Sequence, residues 1–157
     1  MKIKSLILGI SVMISAVALS SCEKDPDIWS AKTEKFCGKW VLTVDINEIG
    51  STITTGNYII SNTVEDNENI LLHINNLFSD PENPKKVIPY FPAVANIENL
   101  TFSGERVQNG KVILNGVSVK PETLEAESIL ADSIYFEIPD DGDLVIFHGF
   151  RHTGWGD

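Results

Sequence analysis

Cysteine occurs only twice in this chain, at positions 22 and 37, too few for a zinc site built from several thiolates. Histidine is almost as scarce, with His73, His148 and His152 the three present. In a strand, the four-residue step from His148 to His152 places both on one face but ~13 Å apart, at ~3.3 Å per residue. They cannot share a metal there without a bend. No serine lies in a Gly-x-Ser-x-Gly elbow, because Ser103-Gly104 lacks the first glycine. Ser133 can be set beside Asp132 and a histidine on paper, but Asp-Ser after a loop is more simply a turn leading into a strand. The acidic runs at 65–68 and 140–143 lack the spaced ligands of a calcium loop. The sequence therefore offers no catalytic constellation, no metal site and no cofactor motif.

Basic residues are also few, twelve against twenty-two acidic, and two of the twelve belong to a distinct N-terminal stretch. Lys2 and Lys4 precede an apolar run over 6–19, and Leu19-Ser20-Ser21 leads to Cys22. This three-part layout reads as a secretion leader over 1–21, too short to span a bilayer, which takes ~20 apolar residues. Leu-Ser-Ser-Cys resembles the lipobox of bacterial lipoproteins. The resemblance implies that the leader is removed and that the Cys22 sulfur carries a diacylglycerol, holding the chain on a membrane at ~0.8 kcal/mol per buried methylene.

Loss of Lys2 and Lys4 leaves ten basic residues against twenty-two acidic ones, a formal charge of −12. Such a surface repels phosphate backbones, which disfavours nucleic acid as a partner. With Cys22 acylated, Cys37 has no disulfide partner and reads as a small buried hydrophobe. The charged tether Glu23-Lys24-Asp25-Pro26-Asp27 resembles signals that carry some Bacteroidetes lipoproteins to the outer face of the cell. The resulting expectation is an anchor at the outer membrane, with display on the cell surface if the run is such a signal and either leaflet open if it is only a solvated linker.

Asp25 and Pro26 suit a helix start, and Ile28, Trp29 and Phe36 would form the apolar side of a short helix within a 22–35 tether. An extended linker is the alternative. From Lys39 the pattern changes to alternation. Trp40, Leu42, Val44 and Ile46 fall on one face and Lys39, Thr43, Asp45 and Asn47 opposite, as in a strand with one buried side.

Further strands are expected over 52–62, with Gly56 at a bulge, and over 69–75, where Ile70, Leu72 and Ile74 alternate. The Asp-Pro and Asn-Pro steps in 79–84 break regular structure. A following strand over 85–91 can hold Pro89 only at an edge or a bulge. Runs over 100–107 and 111–119 flank Gln108-Asn109-Gly110, a strong hairpin signal. Residues 120–131 read as a loop with one turn of helix. Strands over 132–138 and 143–151 close the chain across Asp140-Asp141-Gly142.

Eight short strands joined by successive turns point to an all-β fold, an eight-stranded antiparallel up-and-down barrel occupying 36–157. A barrel of that size has room for side chains or one small ligand.

Gly38-Lys39-Trp40 is similar to the Gly-x-Trp of lipocalins and other calycins. That likeness implies that Gly38 and Trp40 close the barrel floor and that Arg151 packs over the indole. Together with Asn62-Thr63, Asp132-Ser133-Ile134-Tyr135-Phe136 and Gly149-Phe150-Arg151-His152-Thr153-Gly154-Trp155, the pattern resembles the Bacteroidetes family of lipid-binding putative hydrolases, which is calycin-like. One feature departs from a regular last strand. With Arg151 inward, Val145, Phe147 and Gly149 are inward too, leaving Leu144, Ile146, His148 and Phe150 outside. Either the tail resets its register near Gly149 or something covers that face.

The expected function is a lipid-anchored module whose barrel takes a small hydrophobic or lipid-like molecule. Alternation nominates Trp40, Leu42, Val44, Tyr58, Ile60, Leu72, Ile74, Leu114 and Phe136 as its lining. One alternative is an accessory lipoprotein with a filled barrel that meets a protein partner, or a second copy of itself, through the last hairpin. The other is a hydrolase, which requires a histidine paired with a nucleophile inside a cleft.

Overall fold

Side chains that alternate at every second position need a sheet with one buried face, and a run of short strands buries that face by closing on itself. The computed structural model describes residues 32–63, 65, 67–80, 82–120 and 127–152. In it β1 (Gly38–Ile46), β2 (Thr52–Asn62), β3 (Asn69–Asp80), β4 (Asn83–Asn96), β5 (Thr101–Ser103), β6 (Gln108–Val119), β7 (Ile129–Asp140) and β8 (Asp143–Arg151) follow one another. They pair in sequence order into a closed antiparallel barrel, with β8 returning to β1. The expected leader, Cys22 and the Asp25, Ile28 and Trp29 of the expected helix lie outside the described residues, as do 121–126 and Thr153-Gly154-Trp155.

The described part of the expected helix, 32–36, is a turn. The amides of Phe36 and Cys37 both donate to the Thr33 carbonyl, at 2.9 and 3.1 Å, and Gly38 leaves the turn at φ 127°. The chain thus enters β1 one residue later, with no room for another helical turn.

Pro89 lies at a bulge. His73 pairs with Tyr90 and Phe78 with Ile88, so β3 residues 74–77 face Pro89 alone. A residue without an N–H is tolerated where the ladder is already interrupted. The break expected over 79–84 does not occur at Asn83-Pro84, which lies inside β4: β3 runs to Asp80 and β4 begins at Asn83, so both strands run longer than the sequence indicates.

The hairpin near Asn109-Gly110 forms, but its turn comes earlier, where the Gly104 amide donates to Val107 O at 2.9 Å. Asn109, at φ 51°, makes a bulge inside β6 instead. An Asn that tolerates the left-handed region serves either purpose. Residues 129–131, assigned to a loop from sequence, begin β7 and pair with Val117, Ser118 and Val119.

The register of β8 does not reset. Its ladder with β1 runs unbroken from Val145 opposite Ile46 to Arg151 opposite Trp40. Gly149 makes this fit, since a Cβ there would sit 2.0 Å from the Val41 carbonyl oxygen and 3.0 Å from Leu42 Cα. The outward residues are partly covered in place: Ile146 is buried, and Leu144, His148 and Phe150 are half-buried.

We predict that Gly149→Val forces β1 and β8 apart and lowers unfolding free energy by about 1–3 kcal/mol, the usual range for overpacking. Urea denaturation followed by tryptophan fluorescence reads this directly, and an unchanged midpoint would show that the strands do not approach so closely.

Candidate functional site

Closure of the barrel begins where β1 and β8 meet. Arg151 places its guanidinium carbon 4.6 Å from the centre of the Trp40 ring. Its Nε donates to Asp132 Oδ2 at 3.1 Å, Nη1 to the Cys37 carbonyl at 2.5 Å, and Nη2 to the Lys35 carbonyl. Trp40 Nε1 donates to the Phe36 carbonyl at 3.0 Å, and both rings are fully buried. A planar fork can stack on indole and reach three acceptors at once, which a lysine cannot. Gly38 leaves space for it, because a Cβ there would lie 3.1 Å from Nη1.

Above this floor the interior is apolar. Trp40, Leu42 and Val44 of β1, Tyr58 and Ile60 of β2, Leu72 and Ile74 of β3 and Phe136 of β7 are buried in one cluster. Besides the Tyr58 phenol, the buried polar residues among those described are Thr33 and Asp45, one in the opening turn and the other facing outward from β1. Aromatic rings pass contact from floor to mouth. Phe36 meets Phe102 at 6.0 Å, Phe102 meets Phe136 at 5.7 Å, Phe136 stacks on Phe147 at 4.5 Å, and Phe147 reaches Phe78 at 6.3 Å.

Leu114, expected in this lining, is instead 41% exposed. Ile113 pairs with Ser133 and Val117 with Ala131, so residues 114–116 face Asp132 alone. The bulge carries Asn115 at φ 52°, its amide donating to Asp132 Oδ1 at 3.0 Å, and it breaks the alternation that would have turned Leu114 inward.

The opposite end holds a group that strand alternation did not single out. Arg106, in the β5–β6 turn, lies 4.9 Å from the Phe91 ring centre and 5.8 Å from that of Phe78. Its Nη2 donates to Asp140 Oδ1 at 2.7 Å and to the Pro139 carbonyl at 3.4 Å. Beside it opens a cleft of about 150 Å³ lined by Ile46, Ile53, Leu77, Phe78, Asp140, Asp143 and Val145. The chain has two arginines in all, and each covers aromatic rings at one end of the barrel. That count was the available signal for Arg106.

The reactive side chains lie elsewhere. His73 Nε2 stands 3.0 Å from Ser61 Oγ on the outer wall of β2 and β3. This is a histidine beside a hydroxyl, yet the wall there is continuous sheet, with Ile59, Ile60, Ser61 and Asn62 paired to His73, Leu72, Leu71 and Ile70. Ladder pairing consumes the amides that an oxyanion needs, and the pair sits outside the cleft. Burial pushes the Cys37 thiol up, keeping it protonated and unreactive. Tyr135 is pushed up to about 12 by burial and by the Glu137 carboxylate to which it donates. No cluster of metal-ligating side chains occurs among the described residues.

His148 joins a structural network at the mouth. Its Nε2 lies 2.9 Å from Asp45 Oδ2, and Asp45, fully buried, also accepts from the Gly50 amide at 2.8 Å and the Thr52 hydroxyl at 2.7 Å. Asn47 carries the connection onward, donating its side-chain amide to Asp143 Oδ1 at 2.9 Å and accepting the Leu144 amide at 2.8 Å. The β1–β2 and β7–β8 turns are thereby fixed to each other on one side of the cleft.

The fold is a closed eight-stranded antiparallel barrel with an apolar interior and a small cleft at one end. Over residues 25–156 the chain matches the family described as lipid-binding putative hydrolase, and it belongs to that family. No curated protein and no solved structure matches it.

The Gly50 amide and then the Thr52 hydroxyl, with a smaller contribution from His148, hold the Asp45 carboxyl below the usual carboxylate range against the opposing effect of burial. A carboxylate whose folded value is depressed stabilises the fold above its unfolded value of ~3.9 and loses that stabilisation as pH falls through the folded value. We predict that Asp45→Asn flattens the acid limb of stability below about pH 4. Urea midpoints from pH 2 to 7 in both proteins test this, and parallel curves would remove Asp45 as the acid-sensitive link.

Proposed function

We propose that the mature chain is a lipoprotein of the outer membrane that binds one hydrophobic or lipid-like molecule at its barrel. The carrying observation is the interior, an apolar cluster that extends from the Trp40 floor to Phe78, which also lines the cleft at the mouth. An apolar tail gains by leaving water for such a surface, whereas a sugar or nucleotide would meet mainly apolar side chains there. Membership of a lipid-binding family supports the same chemistry. The ring column already occupies the centre, so the ligand lodges at the cleft end and displaces side chains to go deeper.

Anchoring rests on the lipobox-like Leu19-Ser20-Ser21-Cys22, and outer-face display on the acidic tether behind it. An acylated Cys22 keeps the barrel beside a bilayer, where its ligand is abundant. A non-catalytic accessory role, with the barrel filled and a protein partner on the last hairpin, is the second reading. It is favoured by an outer groove of about 490 Å³ whose lining includes Val41, Thr43, Ser133, His148 and Phe150. A hydrolytic role has less support, because the Ser61–His73 pair stands on a flat wall.

Cells fed an alkyne-bearing fatty acid should label the wild-type chain and fail to label Cys22→Ala, which should also leave the membrane fraction. Organic extraction of the purified wild-type chain should release a lipid in about one-to-one ratio, as for a barrel with room for one ligand. An anchored chain that carries no lipid would favour the accessory role.

A further inference from the structure

The mouth cleft has polar chemistry on one side only, and that asymmetry bears on which amphiphile fits. Ile46, Ile53, Leu77, Phe78 and Val145 form its apolar part; its polar part is Asp143, which is held by the Asn47 amide, and Asp140, which brings the Arg106 guanidinium to its border. Next to the cleft, β2 residues Ile59–Asn62 pair with β3 residues Ile70–His73, and β3 continues through the bulge at 74–77. Ile53 and Leu77, 53% and 37% exposed, face water at the rim of this cleft, beside the buried Phe78. An alkyl chain laid between them would cover apolar surface that is now wet.

Arg106 is placed to hold the other end of such a molecule. Its side chain is 27% exposed and that of its counter-ion Asp140 is 39% exposed. A pair this open to solvent contributes little to stability, so an incoming oxyanion can replace Asp140 at small cost. The guanidinium meanwhile rests on Phe91 and Phe78, which aim its fork across the mouth, and a fork of parallel N–H groups matches a carboxylate or phosphate.

Resting on the lipid-binding reading above, we infer that Arg106 is the headgroup site for a single-chain anionic amphiphile, whose oxyanion displaces Asp140 and whose tail enters between Ile53 and Leu77. A fatty carboxylate and a lysophospholipid phosphate share this chemistry.

Photo-crosslinking of the full membrane-bound chain tests the assignment. Three diazirine probes with the same alkyl chain would be used: a fatty acid, a lysophosphatidic acid and a fatty alcohol. At least one anionic probe should label peptides containing Ile53 or Leu77 several-fold more than the alcohol does, and the stronger of the two identifies the headgroup source. Arg106→Gln should remove that preference while leaving alcohol labelling unchanged. Asp140→Asn, which leaves Arg106 intact and without its competitor, should raise anionic labelling and protects the test against misfolding of the first variant. Equal labelling by all three probes, insensitive to both substitutions, would overturn the headgroup assignment and leave lipid binding standing. Absence of labelling by every probe would overturn both.

Discussion

Burial of Trp40 beneath the Arg151 guanidinium is the contact on which the rest of this barrel depends. Trp40 is the first inward residue of β1, and Arg151 is its partner at the far end of the chain. The pair joins the two terminal strands and so removes the open edges that an eight-stranded sheet would otherwise expose. Because the same guanidinium also binds the carbonyls of Lys35 and Cys37, the opening turn is held across the floor as a consequence of closure. Phe36 and Trp40 then seal the floor from within, and every inward residue above them is shielded at that end.

Sealing the floor gives the two ends different properties. The floor arginine has three acceptors and a deeply buried ring beneath it, whereas the mouth arginine has a solvent-facing carboxylate and one carbonyl. Ion pairs that are exposed are readily exchanged, and those tied into several hydrogen bonds are not. The Asp45–His148 network and the Asn47 bridge tie the β1 and β8 side of the mouth together, whereas on the β3–β4 side the bulge at 74–77 interrupts the ladder.

The alternation that makes strands was legible wherever the ladder is regular. β2 and β8 run over the residues that the pattern indicates, and the floor pair could be named from Gly38-Lys39-Trp40 and Arg151. Bulges are where legibility failed. Leu114 follows Val112 in perfect alternation, and nothing local announces that Asn115 will take a positive φ and spend the bulge on Asp132. Asn109-Gly110 carries the composition of a turn and makes a bulge, a choice decided by the strand beyond it. Phe78 and Phe91 were obscured by the proline steps between them, and Arg106 by its place in a turn. All three belong to the mouth, so the candidate site was less readable than the fold.

Methyl chemical shifts of the full chain offer the most direct test of a lipid-binding mouth. With isoleucine, leucine and valine methyls labelled, titration with a medium-chain fatty acid should shift Ile53, Leu77 and Val145 together and leave the outward Leu114 and Leu130 unmoved. Shifts confined to the outer wall, or none at saturating ligand, would contradict the account and leave a filled barrel whose partners meet it from outside.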